Sequence, residues 1–197
     1  MVKTRRQQII IGLVGPKGSG KGTVARYLQR RYGASIISCP DILSKVLSML
    51  GIDHTRMNQI KLVQTLRATF GQDVMGRAVA MAIAKLPRSA QRLVVIDNIR
   101  PRADWAPWRG KRNATLVAIT ADVRRRYERL RKRGKTAEEH ALSYARFLRE
   151  ERLPTETRTI IKTSREARFT IDGNAVLKDV YNQVDAIAKW LKLKARE

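Results

Sequence analysis

The stretch VGPKGSGKGT, Val14–Thr23, places four glycines and two lysines directly after the apolar run Ile9–Val14. Gly15, Gly18, Gly20 and Gly22 tolerate positive φ and leave their backbone N–H groups uncovered. Ahead of a helix, such N–H groups form a concave nest for an anion, reinforced by the helix N-terminus. Lys21 adds a mobile ammonium with the reach to touch the β and γ phosphates of a nucleotide. The spacing Gly15-x-x-x-x-Gly20-Lys21 is that of a phosphate-binding loop, with Ser19 and Thr23 supplying hydroxyls beside it. The alternative is a glycine turn of purely structural purpose.

Three further segments carry chemistry. LVVIDNIRP, Leu93–Pro101, has the form of a strand ending in an acid. A carboxylate at Asp97 can hold the water shell of a Mg²⁺ ion or position an acceptor, or it can simply cap a helix. In ADVRRRYERLRKRGK the residues Arg125, Arg129 and Arg133 recur at i, i+4 and i+8, so a helix presents them on one face; Arg126 and Arg133, seven apart, also nearly align. Guanidinium groups bind phosphate oxygens bidentately and keep their charge, which suits them to a closing lid. A solvated basic helix or a nucleic-acid patch fits the same cluster. FTIDGNA, Phe169–Ala175, reads as a short strand followed by a turn at Asp172-Gly173. His54 and His140 are far apart with no cysteine at ligand spacing, so zinc is not expected. Trp105 and Trp108 read as packing before base stacking, and Trp190 as a core residue of the last helix.

Elements must position these groups. Short apolar runs at Ile9–Val14, Ser35–Ser38, Leu93–Ile96, Leu116–Thr120 and Phe169–Ile171 read as buried parallel strands. Segments of helical period lie between them, including a long one through Ile60, Val63, Leu66 and Phe70 that is interrupted near Gly71. Strands alternating with helices predict an α/β fold around a parallel sheet. PRADWAPWRGKRN, Pro101–Asn113, reads as an irregular excursion within it.

With 197 residues, 43% of them apolar and 29% charged, the chain is expected to form one globular domain. No run of about 18 apolar residues predicts a membrane span. Cys39 is the only cysteine, so no internal disulfide can form. With no apolar leader read at the N-terminus, a cytoplasmic setting is expected. Forty-one Lys and Arg against seventeen Asp and Glu give a formal charge of +24, a field that attracts phosphates of any kind. A nucleic-acid partner and a generally basic composition with solvated charges are both open. Oligomeric state is not readable.

The ending Gly20-Lys21-Gly22-Thr23 resembles the loop of the adenylate kinase group of nucleoside monophosphate kinases, which runs Gly-x-Pro-Gly-x-Gly-Lys-Gly-Thr. Lys17 is the one departure. The resemblance implies a three-layer α/β/α P-loop kinase fold with a five-stranded parallel sheet in the order 2-3-1-4-5 and a small lid. It implies ATP and Mg²⁺ as cofactors, a nucleotide substrate, and a single kinase domain over 1–197, with an acceptor region near 41–86 and an arginine-rich lid near 122–152. On this resemblance Lys21, Asp97, Arg129 and Arg133 are catalytic. Gly15, Gly18, Ser19, Gly20, Gly22, Thr23, Arg125 and Asn174 hold ATP, and Thr23 and Asp97 face the metal, in part through water. Asp41, Lys45, Arg67, Arg77 and Arg100 serve the acceptor; where the group carries an arginine at the start of the second helix, this chain has Ser44. The implied reaction moves the γ-phosphoryl of ATP to a nucleoside or deoxynucleoside monophosphate. A larger acceptor, such as a nucleic-acid 5′ end or a coenzyme precursor, and an ATP-switched nucleic-acid-binding ATPase are the alternatives.

Overall fold

A computed structural model describes residues 8–134, 140–152 and 158–196. The N-terminal segment 1–7 and part of the expected lid, 135–139, lie outside the described residues. Five parallel strands form one sheet in the order β2-β3-β1-β4-β5: β1 Ile9–Val14, β2 Ser35–Ser38, β3 Leu93–Ile99, β4 Ala114–Thr120 and β5 Phe169–Asp172. This is the expected order. β1 is central and buried on both faces, which explains why its residues are apolar without alternation.

Side chains of β1 still alternate between two layers. Ile10 and Val14 join Leu43, Met75, Val79 and Trp105 on one face. Ile11 and Leu13 join Val24, Leu28, Val117 and Val184 on the other. Each fully buried aliphatic side chain of this kind contributes about 1.5–3 kcal/mol. The first layer is covered by α2 Cys39–Met49, α3 Arg56–Phe70, α4 Val74–Ala84, the single turn α5 Arg102–Trp105 and α8 Arg158–Ser164. The second is covered by α1 Lys21–Tyr32 and α9 Leu177–Trp190. Among the described residues two further α-helices, α6 Val123–Arg133 and α7 Tyr144–Glu151, pack on each other through Tyr127, Leu130 and Phe147, with Leu142 just ahead of α7.

Local sequence sets the ends of these helices. Ser38 caps α2 by accepting from the Asp41 N–H, Thr55 caps α3 through the Asn58 N–H, and Ser143 caps α7 through the Arg146 N–H. The excursion Pro101–Asn113 proves ordered: Trp105 and Trp108 lie 5.6 Å apart, buried in the first layer. Trp190 corrects the expectation of a core residue, being 47% exposed. It sits about 100° off the stripe of Val180, Val184 and Ile187, and covers the sheet edge at Phe169 with the Arg168 guanidinium 4.2 Å from its ring.

Gly12 in β1 makes the Trp105 contact feasible. A Cβ there would lie 2.5 Å from Ile99 Cδ1 and 2.6 Å from the indole. Gly12→Ala is therefore expected to destabilise the protein by about 1–3 kcal/mol. A lowered urea midpoint with unchanged slope is the expected reading.

Candidate active site

The segment between β1 and α1 turns under neighbouring backbone. A Cβ on Gly15 would stand 2.3 Å from the Ile119 carbonyl oxygen, and one on Gly18, whose φ is +80°, would stand 2.7 Å from the Arg126 carbonyl oxygen. Side chains are excluded on both sides, so the loop amides stay uncovered. Lys21 is only 9% exposed and folds back over the loop, donating to Gly15 O at 2.7 Å and Pro16 O at 2.9 Å. The Ser19 hydroxyl is fully buried and has no hydrogen-bond partner.

A cavity of about 150 Å³ opens beside the loop, lined by Ser19, Gly20, Thr23, Ile119, Arg129 and Gly173 among others. Arg129 donates to Gly173 O at 2.6 Å, and Arg125 to Asn174 O. Asn174 is held in turn: its side-chain oxygen accepts from the Asp122 N–H at 2.8 Å. The turn after β5 is thereby stitched to the start of α6. Arg126 makes a different set of contacts. It is 4% exposed and donates to Lys17 O in the loop, to Ala121 O, and to the Glu151 carboxylate of α7. By residue type it belongs with the other helical arginines. Its signal was position, since it lies on the apolar stripe of α6 with Tyr127 and Leu130.

A second cavity, of about 160 Å³, lies beyond the end of β3. Cys39, Leu43, Ile60, Val63 and Met75 form an apolar wall, and Arg56, Arg67, Asn98, Arg100 and Asp104 supply polar groups. Burial pushes the Cys39 thiol up to about 12, so it is neutral and unreactive at pH 7. Arg67 of α3 forks onto both oxygens of Asp104 at 3.0 Å, and Arg56 reaches Glu150 of α7 at 3.0 Å. Burial pushes the Asp104 carboxyl up while Arg67 opposes the shift. Asp104 was not singled out by sequence reasoning, because an acid in a charged, irregular stretch reads as solvated.

Asp97 precedes Asn98, which lines the second cavity, and lies within the electrostatic reach of Lys21. Gly12 pairs with Ile96 and Val14 with Ile99, so β3 carries an extra residue, and Asn98 takes a left-handed φ of 68°. Such a bulge re-aims the adjoining side chain. Asp97 Oδ1 is buried without a hydrogen-bond partner. Burial pushes its carboxyl up, and the Lys21 ammonium is the strongest opposing influence. The structure thus brings Asp97 into the field of the loop lysine, and places Arg67 and Arg100 on the second cavity. Asp41 and Lys45 are exposed on α2, and Arg133 is exposed at the end of α6. Arg77 is exposed on α4, paired with Asp73 and donating to Phe70 O. None of these four lines either cavity.

Among the described residues no helix is long and apolar enough to cross a membrane. Solved structures share the fold over nearly the whole chain. A shikimate kinase of Bacteroides thetaiotaomicron superposes with a TM-score of 0.60 at 14% identity, over 95% of this chain and 100% of that one. A gluconokinase of Sinorhizobium meliloti superposes with 0.55 at 16% identity, over 95% and 96%. The fold is therefore that of the P-loop kinases. In sequence, a UPF0200 protein of Pyrococcus horikoshii is 32% identical over 133 residues, 65% of this chain and 69% of that one. A UPF0200 protein of Methanosarcina barkeri is 27% identical over 189 residues, 93% and 96%. The family described as AAA domain matches residues 11–153, and the chain belongs to that family and to the UPF0200 proteins.

Proposed function

We propose that this protein is an ATP-dependent phosphotransferase that moves the γ-phosphoryl of ATP to a nucleoside or deoxynucleoside monophosphate. One observation carries the reading: Lys21 of the glycine loop acts on the buried Asp97 carboxylate, whose neighbour Asn98 lines a polar, arginine-bearing cavity. The uncovered amides of the loop and the helix N-terminus bind the donor phosphates. Lys21 now rests on two carbonyls of its own loop, and its ammonium exchanges them for phosphate oxygens when a nucleotide enters. Arg129, already on the wall of the first cavity, and Arg125 belong to a lid formed by α6 and α7. Their guanidinium groups release the carbonyls of Gly173 and Asn174 to meet the triphosphate, and Arg133 approaches as the lid closes. Asn174 and its turn border the base. Arg67 and Arg100 face the acceptor phosphate, with Asp41, Lys45 and Arg77 at the rim of the acceptor region.

The residues fit a Mg²⁺ ion shared with phosphates. Among the described residues no three His, Cys, Asp or Glu groups gather into a metal cage. Instead the Asp97 oxygen, without a hydrogen-bond partner among the described residues, and the Thr23 hydroxyl on the first cavity would form the sparse protein donor set that a hexacoordinate ion with water and phosphate ligands accepts. The ion supplies neutralisation of the phosphate charge. Asp97 orients its water shell or the acceptor, and no dedicated base is needed when the acceptor is already an anion.

A second reading, with a larger acceptor such as a nucleic-acid 5′ end or a coenzyme precursor, is favoured by the pairing of Arg67 with Asp104 and Arg56 with Glu150. Both arginines are partly neutralised, and Asp104 presents an oxygen suited to a hydroxyl or amine donor.

ADP release from MgATP, measured against all monophosphates and against 5′-hydroxyl oligonucleotides, tests the reading. Saturable stimulation by one or two monophosphates is expected, and Lys21→Ala should lower it about 10²–10³-fold. Stimulation by none of them sinks the mononucleotide reading. Asp97→Asn separates stability from activity. Burial holds the folded carboxyl above its ordinary 3.8, so ionisation destabilises the fold as pH rises through that value and beyond. The Asn variant should melt above the wild type at pH 7, with the difference narrowing as pH falls toward 4, while turnover drops about 100-fold.

A further inference from the structure

Arg126 is a charged side chain that the reaction does not require at its reacting atoms, yet it is among the most enclosed polar groups of the protein. Its side chain is 5% exposed. Nε donates to Ala121 O at the end of β4, one terminal nitrogen donates to Lys17 O at 3.1 Å, and the other meets the Glu151 carboxylate at 2.5 Å. Phe147 of α7 lies under the guanidinium at 5.5 Å. The backbone of the same residue crowds the loop, since its carbonyl leaves no room for a Cβ on Gly18. One residue thus grips the apex of the phosphate loop by its main chain and its side chain together.

The other end of this grip is not part of either sheet layer. Tyr127, Leu130, Leu142 and Phe147 form a small cluster of their own, separate from the cores on the two faces of the sheet. Among the described residues this cluster shares no buried apolar member with the sheet layers, so the unit can shift without repacking them. Any shift of α7 moves Glu151, and with it the guanidinium that holds Lys17 O. Desolvating an arginine is unfavourable unless its partners stay in place, so the pair moves as one body. An apolar side chain at this position would pack the cluster equally well and leave the loop unconnected.

We propose that Arg126 is a positioning residue which transmits the placement of α7 to the phosphate loop, so that the loop adopts its binding geometry only when α6 and α7 are seated. Glu151 is the lid-side handle of the connection. The inference rests on the nucleotide reading of the loop for its affinity arm alone; the connection itself is independent of any ligand.

Hydrogen exchange and nucleotide titration on Arg126→Lys and Glu151→Gln decide it, with a melting curve for each variant to establish that it is folded. Lysine keeps the charge but cannot span three partners, and glutamine keeps the shape but not the ionic contact. Amides of residues 15–21 in the ligand-free protein are expected to exchange about tenfold faster in both variants. Affinity for the MgATP analogue AMP-PNP should fall about tenfold, while affinity for AMP alone stays within about twofold. The Glu151→Gln result probes the lid side of the connection, because it leaves the Arg126 side chain itself unchanged. Faster exchange confined to α7, with the loop amides and AMP-PNP affinity as in the wild type, would overturn the proposal and leave Arg126 a packing residue of the lid. A wild type that binds no AMP-PNP would instead count against the phosphotransferase reading, and the exchange arm then decides for or against Arg126.

Discussion

The site depends on a main-chain passage too narrow for side chains. Gly15 slides beneath the Ile119 carbonyl, Gly18 passes the Arg126 carbonyl, and Gly173, from the turn after β5, lies against the Ser19 carbonyl with 2.4 Å to where its Cβ would be. Gly173 also donates its N–H to Thr120 O at 2.7 Å. Three chain segments that are remote in sequence therefore meet backbone to backbone at the top of the sheet. Parallel strands β1, β4 and β5 deliver them there at the same level, because their registers place Val14 beside Ala118 and Thr120 beside Asp172. The amides that face a phosphate are a consequence of this passage.

Scarcity of acids gives the second layer of organisation. Seventeen carboxylates serve a chain with forty-one Lys and Arg, and several of them stand where two helices must be joined. Asp104 connects α5 to α3, and Glu150 connects α7 to α3. Glu166 takes Arg102 and Arg109, drawing the segment after α8 toward α5. Asp185 accepts from the hydroxyls of Tyr27 and Tyr32 and ties α9 to α1. Exposed ion pairs stabilise little, whereas the enclosed pairs here fix the angle between elements more than they add net stability. Asp97 differs from these acids. One of its oxygens is enclosed without a hydrogen-bond partner among the described residues, within reach of the Lys21 charge.

Some of this was legible from the amino acids alone. The loop was, because Gly-rich spacing with a lysine after a strand has few other uses, and the sheet was, because its strands are short apolar runs. Arg126 was legible only by its place on the stripe with Tyr127 and Leu130, since residue type does not set one arginine apart among several. Asp104, Trp105 and Trp108 were hidden in a segment whose Pro, Gly and charge content suggests irregular backbone, although a glycine two strands away, Gly12, was making space for the indole. The bulge at Asn98 has no local signature either; it is a product of the mismatch between β1 and β3. Arg77 and Lys45 show the converse. Their residue type suited a phosphate, but helix phase turned them to solvent.

The two faces of the sheet keep separate cores. Val24, Ile119 and Val180 border the nucleotide-side cavity from one core, while Cys39, Leu43 and Met75 border the opposite cavity from the other. Substitutions that reshape the second cavity thus propagate through α2, α3 and α4 without repacking α1 or α9. A lineage can reshape the second cavity while leaving the glycine-loop half untouched. This fold is accordingly a tolerant chassis for diversification, in which drift on one side of a single sheet is insulated from selection on the other.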